Sequence, residues 1–209
     1  MNIKIENYTK EIRKKTILSN VNAEFESGKI YGLHGRNGSG KTMLLRAIFG
    51  LILPSEGRVL IDGKTVGKDI EFPDSVGLII ENMTMLPDFS AYDNLNMLAK
   101  IKKIATQDDI RNALETVGLD PDDKKKVKAF SLGMKQKLNL AQAIMEKPQL
   151  YLLDEPTNAL DEETVNNIRA LLLTLKNEGA LIIIASHNKE DLDILCDEVY
   201  EIYEGQIKN

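Results

Sequence analysis

Gly35-Arg36-Asn37-Gly38-Ser39-Gly40-Lys41-Thr42 satisfies the pattern G-x-x-x-x-G-K-[ST] in full. The apolar run Ile30 to Leu33 precedes it and the helix-forming stretch Lys41 to Phe49 follows, with Gly50 placed as a C-cap. This is the strand, turn and helix context the pattern needs for phosphate chemistry. Glycines at 35, 38 and 40 let the main chain wrap closely around an anion, successive N–H groups form a nest, and the following helix presents its positive end. Residues Gly35, Arg36, Asn37, Gly38, Ser39, Gly40, Lys41 and Thr42 are therefore candidate phosphate contacts. Lys41 is expected to reach the β and γ phosphates, and the Thr42 hydroxyl to hold Mg²⁺.

Such a metal needs an acidic partner, and Leu150-Tyr151-Leu152-Leu153-Asp154-Glu155 supplies one at the end of a buried strand. Alternation along the strand would send the two carboxylates opposite ways. Asp154 is then expected to face Thr42 and the metal, leaving Glu155 to approach a water beyond the γ-phosphate as general base.

The elements that must position these groups are legible from periodicity. Short alternating segments fill the first 80 residues: Ile3 to Tyr8, Val21 to Phe25, Ile30 to Leu33 and Arg58 to Ile61, with turn signals at Ser27-Gly28 and Asp62-Gly63. From about Ser90 to Met145 the apolar period becomes three and four, as in Ile110, Ala113, Leu114 and Val117, which predicts helices. After Pro148 the chain returns to a strand, a helix over Thr164 to Lys176 and a second apolar strand over Ala180 to Ala185. Continuous apolar strands alternating with helices predict a parallel sheet covered on both faces.

Further motifs follow in order: Phe130-Ser131-Leu132-Gly133-Met134-Lys135-Gln136, Asn158-Ala159-Leu160-Asp161 and Ser186-His187. With the phosphate loop and the Asp-Glu strand, they resemble the ATP-binding subunits of ABC transporters over essentially the whole chain. The resemblance implies an α/β fold of the P-loop NTPase, ABC ATPase type. Its parts would be a mainly parallel RecA-like sheet core, an N-terminal antiparallel β subdomain and an inserted α-helical subdomain. It implies one domain over 1–209, with 1–83 and 146–209 forming the core and β subdomain and 84–145 the helical insertion. ATP and Mg²⁺ are the implied cofactors.

In that reading residues 130–136 are a variant of the signature usually written L-S-G-G-Q, Asn158 to Asp161 is the D-loop, and His187 is the switch histidine that meets the γ-phosphate. A second ATPase subunit, the same chain or a related one, would complete each site through Ser131 and Gly133. Ser131 can also cap the helix after it.

Three departures from the family pattern stand out. Leu132 and Met134 replace a glycine and the glutamine of the signature, and Glu81 stands where the Q-loop glutamine is usual, as a candidate metal ligand. Ile12 falls at the position of the adenine-stacking aromatic, with Tyr8 nearby as a substitute ring. The signature variant and Glu81 resemble subunits that serve peptide-antibiotic export and immunity, which implies an exporter of peptides, antibiotics or lipids.

Composition narrows the alternatives. The 43% hydrophobic and 28% charged residues fit a globular chain, and the net charge of −5 does not favour nucleic acid. One cysteine, Cys196, allows no internal disulfide. The longest apolar stretch, Ala47 to Leu53, is far below the roughly 20 residues of a membrane span. A membrane-spanning transporter subunit would therefore be a separate partner, with this chain cytoplasmic and peripheral on the inner face of the membrane. Met83, Met85, Leu86 and Phe89 make the stretch from Glu81 to Tyr92 apolar enough to receive a short partner helix. The competing readings are a non-transport ABC-type ATPase, for which sustained heptads or a second cassette would be usual, and a small kinase, which leaves three of the motifs unexplained.

Overall fold

The computed structural model describes residues 1–80 and 83–208. The chain opens with a long hairpin, β1 (Asn2–Ile12) and β2 (Lys15–Glu26). Both strands run well past the segments that alternation marks, because the two-residue connection Arg13-Lys14 carries no turn-residue signal. Its φ values of 49° and 66° are nevertheless both positive, as a tight hairpin of this hand requires. A bulged register lets β1 also pair with β4 (Glu56–Ile61), which pairs with the short β5 (Lys64–Thr65), giving an antiparallel sheet in the order β2-β1-β4-β5.

The second sheet adds β3 (Ile30–His34), β6 (Val76–Ile79), β7 (Leu150–Asp154), β8 (Leu181–Ser186), β9 (Glu198–Tyr203) and β10 (Gln206–Lys208), in the order β10-β9-β3-β8-β7-β6. Pairing is parallel throughout except between β9 and β10. All residues of β7 and β8 are buried, which is why these segments read as unbroken apolar runs. Leu150 and Leu152 face one core with α1 (Lys41–Phe49) and the antiparallel sheet, and Tyr151 and Leu153 face the other with the remaining helices.

Between β6 and β7 lie α2 (Ala91–Lys102), α3 (Gln107–Thr116) and α4 (Leu132–Ile144), with a single 3₁₀ turn over Val127–Ala129. Ser90, Thr106 and Ser131 cap these helices through side-chain oxygens, so each begins where its sequence offers a cap. After β7 come α5 (Glu162–Asn177), capped by Asp161, and α6 (Lys189–Leu195), which follows His187. No helix among the described residues is long and apolar enough to cross a membrane.

Candidate functional site

β3, β8 and β7 are neighbours, and their carboxyl ends bring together the phosphate loop, Ser186-His187 and Asp154-Glu155. An α/β sheet offers its ligand crevice at this edge. A cavity of about 390 Å³ opens there, lined by Asn37, Gly38, Gly40, Lys41 and Thr42 on one side and Asp154, Glu155, Asn158 and His187 on the other.

The loop's shape depends on its glycines, most clearly Gly40. It caps α1 with φ 114° and no side-chain hydrogen bond, in a left-handed conformation that few other residues hold without strain. Lys41 is 6% exposed, and its ammonium donates to the main-chain oxygens of Gly35 at 2.6 Å and Arg36 at 3.2 Å. The Ser39 N–H closes the turn on Arg36 O. Ser39 Oγ is buried with no hydrogen-bond partner among the described residues, a polar group suited to a phosphate oxygen.

Thr42 Oγ1 donates to Asp154 Oδ2 at 2.6 Å, across 112 residues of sequence. Two hard oxygens at one point suit Mg²⁺, which takes one or two protein groups and completes its shell with phosphates and water. No group of three or more His, Cys, Asp or Glu among the described residues could hold a metal unaided.

Glu155 differs from the expected geometry in its cause. β7 ends at Asp154, and Glu155 turns away through a left-handed main chain, φ 48°, and not through continued strand alternation. Holding a non-glycine residue there costs on the order of 1–3 kcal/mol. The surroundings over-determine it: the Glu155 N–H donates to Ala185 O at 2.8 Å, and its carboxylate accepts from His187 N at 2.9 Å and Ser186 Oγ at 3.2 Å. His187 Nδ1 lies 2.7 Å from Glu155 Oε1. The Glu155 carboxylate and the His187 imidazole are thus held as one unit.

Ile12 is not among the residues lining this cavity. It sits 41% exposed at the end of β1, and Ile17, on the returning strand, supplies the apolar wall. Tyr8 is fully buried and donates to Ile52 O at 2.9 Å, so its ring belongs to the core. Ser131, Gly133 and Asp161 also lie off the cavity wall. Asp161 accepts from Thr164 N and Oγ1, and the main-chain bond holds its carboxyl below the usual range. Glu81 lies outside the described residues.

An ABC transporter family model matches residues 18–158. The chain belongs to this family. It is 55% identical over 206 residues to an uncharacterized ABC transporter ATP-binding protein of Bacillus subtilis, YybJ, covering 99% of this chain and 94% of that protein. A lantibiotic transport ATP-binding protein of Streptococcus pyogenes, SrtF, is 37% identical over 98% of this chain and 88% of its own length. A bacitracin transport ATP-binding protein of Enterococcus faecalis, BcrA, is 37% identical over 98% of this chain and 67% of its own. Among solved structures, an ATP-binding subunit of an ABC transporter superimposes with a TM-score of 0.88 at 22% identity, covering all of this chain and 89% of that one. A dimeric bacterial ABC transporter cassette gives 0.87 at 23% identity, covering 99% and 97%. These two likenesses show the ABC ATPase fold.

In this ABC ATPase, sequence reasoning missed Ile17 and a buried chain formed by Thr157, Asp191 and Arg169, and it quoted Gln136 within the signature variant without its contact to the Glu155 main chain. Thr157 Oγ1 donates to Asp191 Oδ2 at 2.8 Å, and the Arg169 guanidinium donates to Asp191 Oδ1. Asp191 is 4% exposed, and the chain ties α5 and α6 to the segment after Glu155. No periodicity marks it, since the partners come from three separate elements.

Proposed function

We propose that this chain is the Mg²⁺-dependent ATP-hydrolysing subunit of an exporter, with a membrane-spanning partner on a separate chain. The observation that carries the hydrolytic reading is the convergence of Lys41, Thr42, Asp154, Glu155 and His187 on one cavity. The loop and Lys41 bind the phosphates, Thr42 and Asp154 would hold the metal, and Glu155 takes a proton from the attacking water. His187 orients the γ-phosphate beside it. Mg²⁺, when bound, neutralises charge that develops on the phosphate oxygens.

Ser131 and Gly133 lie off this cavity, which supports a head-to-tail pair in which a second ATPase subunit brings them to the γ-phosphate, with Asp161 at the same junction. The cargo class follows the relatives: a lantibiotic transport protein and a bacitracin transport protein point to peptide antibiotics. A groove of about 470 Å³ offers the partner a seat, lined by Met83, Met85, Leu86, Val127 and Leu138 with Lys128 and Lys135 at its border. Asn94 braces its rim by bonding both main-chain groups of Leu86. Seating there would place this cytoplasmic subunit on the inner face of the membrane.

Glu155→Gln tests the reading directly. It should bind ATP and lose at least about 100-fold in turnover, the scale of a lost general base. Chelation of Mg²⁺ should abolish wild-type turnover and added Mg²⁺ restore it. With Mg-ATP present, the variant should co-purify a multi-span protein from detergent-solubilised membranes. Retained turnover removes Glu155 from the role of base, and recovery of the ATPase alone or with a partner lacking membrane spans favours a non-transport ATPase.

A further inference from the structure

We propose that Gln136 is a positioning residue for hydrolysis, acting through the main chain of Glu155; the inference rests on Glu155 being the base. Gln136 lies in α4, and its Nε2 is 3.1 Å from both Glu155 O and Pro156 O. A side-chain amide carries two N–H donors, and this geometry uses both. The Glu155 N–H is held by β8 through Ala185 O, so the two main-chain polar groups of the strained residue are pinned from opposite sides, one by the sheet and one by α4. Asn158 N also donates to Glu155 O, at 3.2 Å.

A second contact shows that α4 is registered against this segment. Gly133 is three residues before Gln136 and on the same helix face. A Cβ there would come within 2.8 Å of Ala159 O, so the helix backbone lies directly on the 155–159 segment. Lys135, Leu138 and Asn139 project from the other side of α4 into the wall of the apolar groove. One helix therefore touches the groove with one face and the carbonyl of Glu155 with the other. A shift of α4 by the length of a hydrogen bond would leave Glu155 O with the Asn158 N–H alone and loosen the angle at which its carboxylate meets water. Gln136 is the only side chain among the described residues that bonds Glu155 O.

The test compares wild type, Gln136→Met, Glu155→Gln and the double variant in single-turnover ATP hydrolysis, with ATP affinity by equilibrium dialysis and thermal midpoints for each. Methionine keeps the length of glutamine and removes both donors. The expected result is at least a tenfold fall in rate for Gln136→Met, with ATP affinity within threefold and the midpoint within a few degrees of wild type. In the Glu155→Gln background the same change should alter the residual rate less than twofold, because its effect passes through Glu155. A rate within twofold of wild type in folded Gln136→Met, or a repeated tenfold loss in the double variant, overturns the proposal. If the methionine variant does not fold, Gln136→Glu replaces it in the same cycle with the same expectations, since a carboxylate supplies no pair of donors. Retained turnover in Glu155→Gln alone would instead defeat the underlying assignment of the base.

Discussion

Lys41 and Glu155 show how much of the site's chemistry depends on main-chain geometry. Lys41 is held over the carbonyls of its own loop, and Glu155 is held by a φ that glycine would adopt more readily. Lys41→Ala removes the one side-chain cation of the phosphate loop that is buried at the turn, and tight ATP binding should disappear in equilibrium dialysis; unchanged affinity would contradict the phosphate-loop assignment. Most residues of this wall were legible because their motifs are contiguous and their spacing is set by one turn or one strand end. Ile17 and the Gln136 contact were not, since what marks them is a neighbour far along the chain. Ile12, placed by motif register, stands 41% exposed at the hairpin end and outside the cavity lining. Cys196 is not among the residues lining the cavity, and burial pushes its thiol up to about 12.

At the scale of elements, the helices between β6 and β7 were legible in their period and, for α4, in its Ser131 cap, whereas the hairpin outran its signal because Arg13-Lys14 adopts a turn usually given to asparagine and glycine. α3 begins with a capping box in which Asp109 accepts from Thr106 N and Oγ1 and pairs with Lys147 at 2.8 Å. Lys147, then Thr106, hold the Asp109 carboxyl well below the usual carboxylate range. A lowered folded value means stability present above the unfolded pKa of about 4 and lost as pH falls through the folded value. Asp109→Asn should therefore melt roughly 2–4 °C below wild type at pH 7, for a loss of about 1 kcal/mol, and in paired melts the gap should begin to narrow only below about pH 4. Arg169→Met leaves the Asp191 carboxylate buried without its cation. The cost should fall near the lower end of about 3–5 kcal/mol, read as a lower urea midpoint with an unchanged slope.

At the scale of the whole molecule, two cores on opposite faces of one parallel sheet hold the cavity at the strand ends, and that layering followed from unbroken apolar strands alternating with helices. The proposed partner seat was legible only as a run of apolar residues; the groove wall from α4 and the 3₁₀ turn appears only in three dimensions. Leu86 is 48% exposed on that wall. Leu86→Asp in the Glu155→Gln background should cut recovery of the membrane partner at least tenfold, measured on the same detergent extract, with the thermal midpoint within about 2 °C. The ammonium of Lys41 gives the whole assembly one more property. It already rests on two carbonyls of the curled loop, so in the proposed role an arriving triphosphate would compete for a cation that has a place to return to. Entry and departure would then be a swap of partners at one nitrogen.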